Sequence, residues 1–160
     1  GNLSNIYFKK KQNKFPLTLQ AKNINQKMFK TSLDFLKIHT KLENKKILIL
    51  GASYKEDIFD LRLSPSIDLL KSLKKYSNNV FIYDPFIKKD NELNATNKFP
   101  ELEKFDIVIF VNAHEQLKKI SFSKFKKNPI YFDLNNVLSD KIKKKFNKNF
   151  FTLKVLGDKK

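Results

Sequence analysis

Apolar residues with two different spacings alternate along the chain and predict helices and strands in turn. Between residues 16 and 42 they recur every three or four positions, as on one side of a helix, and Pro16 suits the first turn. This predicts a long amphipathic helix whose wide apolar face packs on a partner. Short, continuously apolar runs follow, as in strands buried on both faces of a parallel sheet. These runs are ILIL at 47–50, VFIY at 80–83, IVIFV at 107–111 and PIYF at 129–132.

Amphipathic segments between and after these strands predict further helices. One spans residues 66–76, with Ser64 as its N-cap ahead of Pro65, and a lysine-rich helix runs from Ser139 to residue 147, before a last strand at 150–153. Strands that alternate with helices predict an α/β fold, with a Rossmann-like parallel sheet that carries helices on both faces and is preceded by the long amphipathic helix. We therefore divide the chain into the end of a preceding region, residues 1–43, and an α/β domain, residues 44–160.

The positive charge of the chain raises the question of a nucleic-acid partner. The 160 residues carry a formal net charge of +17, contributed by 32 lysines and a single arginine that are spread along most of the sequence. Base readout and bidentate phosphate contacts favour the planar guanidinium group of arginine, which lysine does not reproduce. We therefore interpret most of the lysines as solvated surface residues and predict no nucleic-acid partner, although a basic nucleic-acid-binding domain stays an open alternative.

Several classes of protein are excluded by what the sequence lacks. The chain has no cysteine, which excludes disulfides, a thiolate metal site and a cysteine nucleophile within these residues. No spacing typical of metal ligands and no serine, histidine and acid set stands out, so we predict neither a metal site nor a catalytic residue. No apolar run is long enough to span a bilayer, and no signal-peptide pattern opens the chain, so we expect a cytoplasmic protein without a membrane partner.

The loop that follows the first strand is the first candidate for chemistry. A dinucleotide fingerprint needs three glycines at fixed spacing, and Gly51 is the only glycine here. The loop instead offers Lys55 and Arg62, whose cationic groups could meet a phosphate or carboxylate at the edge of the sheet, with Asp57 and Asp60 holding them in place. An ordinary surface loop with local ion pairs is the alternative.

Two further sites follow strands that end at the same edge of the predicted sheet. Asp84, before Pro85, could bind a ribose, but a turn is the favoured interpretation because Asp-Pro initiates turns. His114 and Glu115 could contact a substrate, but the favoured interpretation is an exposed helix start, where acids are common. His39, late in the first helix, is interpreted as a polar residue near a helix C-terminus.

One stretch of the sequence resembles a known family. LGASYKEDIFDLRLSPSIDLLKSL is similar to the signature that opens the C-terminal domain of the UDP-glucose/GDP-mannose dehydrogenase family, in which Leu-Gly, an aromatic-Lys pair, Asp-x-Arg and Ser-Pro follow one another. VFIYDPFI, FDIVIFVNAHEQLKKI and FPLTLQAKNINQKM resemble further segments of that family. The matching signature positions are Leu50, Gly51, Tyr54, Lys55, Asp60, Arg62, Ser64 and Pro65.

The resemblance implies a role in nucleotide-sugar oxidation. In that family NAD binds to an N-terminal Rossmann domain, a cysteine forms thiohemiacetal and thioester intermediates, and the C6 alcohol of a UDP-sugar becomes a carboxylate. The C-terminal domain closes over the nucleotide. Lys55 and Arg62 would then contact the UDP moiety, with Tyr54, Asp84 and His114 as further contacts at the sheet edge, and a homodimer would form through the first helix or the missing N-terminal domain.

Departures from the family pattern limit what this chain is expected to do alone. The cofactor domain and the cysteine are absent, and a short similarity places Asn2 where the nucleophile belongs. Residues 133–136 read DLNN where the family often has a basic residue after the aspartate. We expect a nucleotide-sugar-binding part of a dehydrogenase that is inactive by itself. The alternatives are a non-catalytic module that pairs with a partner through its first helix, or a degenerate remnant.

Overall fold

The computed structural model describes residues 16–53 and 64–158. The helices are α1 (Pro16–His39), α2 (Pro65–Leu73), α3 (Glu115–Lys118) and α4 (Asp140–Lys148). The strands are β1 (Ile47–Leu50), β2 (Val80–Tyr83), β3 (Ala95–Thr96), β4 (Ile107–Phe110), β5 (Ile130–Asp133) and β6 (Leu153–Val155), and two short 3-10 helices lie at Leu102–Lys104 and Phe122–Lys124.

Within the described residues, the strands form one parallel sheet in the order β3-β2-β1-β4-β5-β6. The order reverses between β1 and β4, the switch point at which such sheets bind ligands. In the strand register, Leu50 lies opposite both Tyr83 and Phe110, and Phe110 lies opposite Asp133. The loops after β1, β2, β4 and β5 therefore open at one edge, as the sequence predicted.

Alternate residues of each strand feed two cores on opposite faces of the sheet. Ile47 and Ile49 point to the face covered by α1 and α2, whereas Leu48 and Leu50 point to the face covered by α3 and α4. The second core is largely aromatic, and its fully buried Phe146 ring lies 4.8 to 5.7 Å from four neighbouring rings. The predicted α/β fold with helices on both faces is confirmed.

Helix α1 packs on the sheet along only part of its length. Leu36 is fully buried, but Ile24, Met28 and Ile38 are 58%, 46% and 77% exposed. The wide apolar face that the sequence predicted is therefore only partly covered within the described residues. The helix also ends at His39 rather than at residue 42, although Leu42 is buried just beyond its end.

Two strand assignments differ from the sequence prediction. The two-residue strand β3 was not predicted, because a run this short has no periodicity to detect. The last strand begins at Leu153 rather than at residue 150, because Phe150 adopts a left-handed φ of 59° and is 84% exposed. A left-handed residue interrupts an extended strand, so β6 starts only after it.

Gly51 is the residue that lets the chain leave β1 beside β4. Its φ of 95° lies in the region that residues with a Cβ rarely adopt. A Cβ at this position would stand 2.6 Å from the Cβ and 2.9 Å from the backbone nitrogen of Asn112. The glycine is thus required both by its conformation and by the close approach of the segment after β4.

Substitution of Gly51 by alanine should destabilise the fold by more than backbone strain alone. Gly157→Ala is the matched control, since Gly157 has a φ of 91° but no neighbouring atom within 4 Å of the place that a Cβ would occupy. We expect Gly157→Ala to lower the free energy of unfolding by about 1 kcal/mol and Gly51→Ala to lower it by about 1–3 kcal/mol more. Urea denaturation measures both values, and equal losses would contradict the steric explanation.

Candidate functional site

A cleft lies at the carboxyl edge of the sheet, beside the switch point. Its volume of about 310 Å³ is at the lower end of the range for small-molecule sites. The polar side chains that line it are amides and hydroxyls, and α1 closes one side with apolar residues. Its lining includes Met28, Ser32, Ser66, Asn112, Leu134 and Asn135.

Asp84, at the end of β2, is fully buried and connects this edge internally. Its Oδ2 atom accepts hydrogen bonds from the backbone N–H groups of Ala52 (2.9 Å) and Ser53 (3.0 Å), and from the Ser53 hydroxyl (3.1 Å). Its Oδ1 atom accepts a bond from the backbone N–H of Phe86 at 2.9 Å, and the N–H of Ile87 bonds to its carbonyl. The turn predicted at Asp84 is confirmed.

His114 completes this network from the segment after β4. Its Nε2 atom lies 2.8 Å from Asp84 Oδ2, and its side chain is fully buried. The ring of Phe86, itself 42% exposed, covers it in an edge-on contact at 5.5 Å. The helix start predicted here is confirmed, with His114 as the N-cap residue and Glu115 as the first residue of α3. The predicted exposure is wrong for His114, because its ring points back to Asp84, whereas Glu115 is exposed as expected.

Asp84 is ionised at any ordinary pH. Burial by itself would raise the pKa of its carboxyl group, but the His114 side chain and the N–H groups of Phe86, Ser53 and Ala52 outweigh burial and lower the pKa to about 2. Both carboxylate oxygens already accept bonds from protein groups. Asp84 therefore holds the backbone at the edge of the sheet through buried hydrogen bonds, and it does not line the cleft.

Two serines fix the far end of the loop that follows β1. The Ser64 hydroxyl donates to the carbonyl of Ala52, and the Ser66 hydroxyl donates to the carbonyl of Gly51 at 2.6 Å. Ser64 occupies the predicted N-cap position, but its side chain makes no cap bond within the helix because it turns to Ala52 instead. The loop therefore leaves and re-enters the fold at one fixed point.

The sequence did not single out Ser53 or Ser66. Their hydroxyl groups bond within the edge itself, and only the spatial proximity of strand ends reveals them. Tyr54, Lys55 and Arg62, together with Asp57 and Asp60, lie outside the described residues, as does Asn2. Their proposed contacts stay predictions.

Asp133, at the end of β5, anchors the neighbouring segment in a similar way. It is fully buried and accepts bonds from the N–H groups of Val137 (2.8 Å) and Leu138 (2.9 Å). Lys143, on α4, places its Nζ atom 4.0 Å from Asp133 Oδ2 and donates to the side chain of Asn136. A basic residue is thus present near Asp133 in space, although residues 134–136 contain none.

The edge does not fit a dinucleotide. Gly51 is its sole glycine, and Asp84, at the position where a carboxylate would hold a ribose, is occupied by protein donors. Within residues 16–53 and 64–158 no group of histidine and acidic side chains could hold a metal ion. In the same part of the chain, every helix is too short or too polar to cross a bilayer.

The low pKa of Asp84 predicts a loss of stability in acid. Because the folded-state pKa of about 2 lies below the unfolded value, the carboxylate stabilises the fold fully above about pH 4, and this contribution of about 2 kcal/mol is lost as the pH falls through the folded pKa. The difference in free energy of unfolding between wild type and Asp84→Asn should thus be about 1 kcal/mol smaller at pH 3 than at pH 6.

Urea denaturation at the two pH values measures this difference, with Asp106→Asn as the control. Asp106 is exposed, and its carboxylate accepts one backbone bond, from Lys46 at 2.8 Å. A difference for Asp84→Asn that does not change with pH, or changes no more than that of Asp106→Asn, would contradict the assignment.

Comparison with known proteins supplies the family. Residues 48–140 match the model of the UDP-glucose/GDP-mannose dehydrogenase family, UDP binding domain. A UDP-N-acetyl-D-mannosamine dehydrogenase of Methanococcus aeolicus is 29% identical over 153 residues, which are 90% of this chain and 34% of the relative. A UDP-N-acetyl-D-glucosamine 6-dehydrogenase of Salmonella typhi is 30% identical over 105 residues, which are 61% of this chain and 25% of the relative.

A solved structure shares the fold at lower identity. The NDP-N-acetyl-D-galactosaminuronic acid dehydrogenase of Methanosarcina mazei Go1 superposes with a TM-score of 0.68 at 19% identity, covering 86% of this chain and 30% of that one. The chain thus spans about a quarter to a third of the length of these relatives. Since the family model covers most of the sheet and the edge described above, the chain belongs to the UDP-glucose/GDP-mannose dehydrogenase family and contains its UDP binding domain.

Proposed function

We propose that this chain binds the nucleotide part of a UDP-sugar in an NAD-dependent UDP-sugar 6-dehydrogenase, which oxidises the C6 alcohol to a carboxylate. The match of residues 48–140 to the UDP binding domain carries the proposal, because that range holds β1, β4 and β5 and the cleft residues that follow them. The chain covers 34% and 25% of two relatives that are named as dehydrogenases, so the oxidation itself is proposed for a longer assembly.

Lys55 and Arg62 are proposed to contact the UDP moiety, with Tyr54 beside them. The cationic side chains suit a diphosphate, and the planar fork of arginine can bind two phosphate oxygens at once. The fixed edge formed by residues 51–53 and Ser64 supports this role, because it defines where their loop leaves and re-enters the fold. His114 is proposed to support this site indirectly, through its hydrogen bond to Asp84.

The cofactor and the chemistry are proposed to come from elsewhere in the enzyme. The described edge does not fit a dinucleotide, and the 160 residues contain no cysteine that could form a thioester. We therefore propose no catalytic residue within this chain and expect it to be inactive alone. A cytoplasmic location and the absence of nucleic-acid and membrane partners stay predictions from the sequence.

Calorimetric titration with UDP tests the binding role. We expect the wild-type chain to bind UDP, and Lys55→Ala to weaken the affinity about tenfold or more, because a charge-assisted hydrogen bond is lost. The matched control is Lys71→Ala, which removes an exposed lysine from the last turn of α2. The absence of heat at millimolar UDP, both alone and with the N-terminal part of a relative supplied, would refute the proposal.

A homodimer through α1 is proposed as the assembly of this chain. Ile24 and Met28 lie one turn apart on the side of the helix that closes the cleft, and a second copy would cover the parts of them that the cleft leaves exposed. The sequence also left open a non-catalytic module that pairs with a partner through this helix. Both the module and the nucleotide-binding domain are compatible with a dimer, so the UDP titration, and not the oligomeric state, distinguishes them.

Sedimentation measures the assembly directly. We expect a dimer that Ile24→Lys and Met28→Lys dissociate, because burying an unpaired ammonium group is costly. Gln26→Lys adds the same charge at an exposed position on another side of α1 and should leave the dimer intact. A wild-type chain that stays monomeric at high concentration would overturn the proposed assembly.

A further inference from the structure

One buried carboxylate joins three neighbouring strand ends at the switch point. Asp84 directly follows β2, its Oδ2 atom accepts hydrogen bonds from Ala52 and Ser53 after β1, and the same atom bonds to His114 from the segment after β4. Strands β2, β1 and β4 are consecutive in the sheet. The relative placement of three loops at the carboxyl edge therefore depends on one side chain.

We propose that Asp84 is a positioning residue for the nucleotide site, which sets the backbone of residues 51–53 against the segment that carries Asn112 and His114. This inference rests on the proposed nucleotide-binding function and adds a residue that does not itself touch the ligand. Asp84 is 0% exposed, and every contact it makes in the described part of the chain is to a protein donor. Its influence on a ligand must therefore pass through the groups it holds.

The backbone that Asp84 holds lies beside the cleft and directly precedes the proposed cationic loop in the sequence. Gly51 packs against Asn112, which lines the cleft, and its carbonyl accepts the Ser66 hydroxyl, which lines the same cleft. Lys55 follows Ser53 by two residues in the sequence. We expect a shift of residues 51–53 to disturb the cleft wall and the point from which the proposed cationic loop leaves the sheet.

A carboxylate can accept hydrogen bonds at both of its oxygens, which the isosteric amide cannot do. Oδ1 and Oδ2 both face donors, with Phe86 N–H on one and Ala52 N–H, Ser53 N–H and His114 Nε2 on the other. In Asp84→Asn the amide NH₂ group must replace one of these two oxygens, so a donor meets a donor on either the turn or the loop. The substitution preserves volume, and we expect it to loosen the fixed edge.

The test separates positioning from general stability by two measurements on the whole chain. In Asp84→Asn we expect the amides of Ala52 and Ser53 to exchange with solvent about tenfold faster, while those of Ile49 and Ile109 keep their protection. UDP affinity should fall about tenfold, because the binding-competent fraction falls to about a tenth. Phe146→Leu, which shortens a buried aromatic side chain of α4, is the destabilised control. It should change neither the exchange of the Ala52 and Ser53 amides nor the UDP affinity.

Each outcome decides one claim. Unchanged exchange at Ala52 and Ser53 would overturn the positioning role, as would wild-type UDP affinity in Asp84→Asn or an equal loss of affinity in Phe146→Leu. A wild-type chain that does not bind UDP would overturn the proposed function instead, and the exchange rates would still decide whether Asp84 holds the edge together.

Discussion

The charge of Asp84, buried and surrounded by donors, is the constraint on which the functional edge of this domain depends. A parallel sheet brings its strand ends to one edge, but it leaves open how the loops beyond them sit relative to one another. Here the hydrogen bonds from Ala52, Ser53 and His114 to one carboxylate oxygen fix that arrangement. Ser64 and Ser66 then bring the far end of the loop back to the same point.

The fold could be predicted from the sequence because its signals are local. Continuous apolar runs such as ILIL at 47–50 mark strands that are buried on both faces, and Ser64-Pro65 marks a helix start. The strand Ala95–Thr96 carries no such signal, because two residues form it only through pairing with β2. The start of β6 was misplaced because the left-handed backbone of Phe150, an ordinary aromatic residue, cannot be read from its type.

The site was less accessible to sequence reasoning, since its connections run between segments far apart in the chain. Asp84 and His114 were each identified as edge residues, but their mutual contact joins the segments after β2 and β4, two strands that both pair with β1 and not with each other. The Asp-Pro pair correctly predicted a turn, but it gives no sign that the same carboxylate also accepts a hydrogen bond from Ala52, which is distant in the sequence. The preference of helix starts for acids correctly described Glu115, but the exposure inferred with it was wrong for His114.

Stability alone does not explain why this edge is polar. A buried charged network roughly breaks even against well-packed apolar residues of similar volume, because removing a carboxylate and its donors from water costs about as much as their attraction returns. On the face of the sheet to which Leu48 and Leu50 point, an aromatic cluster around Phe146 packs through ring contacts instead. Apolar contacts, however, are not directional, whereas four donors on Oδ2 define positions for the backbone of residues 52 and 53. A directional network placed at the switch point of the sheet is what the proposed nucleotide site would require of its edge.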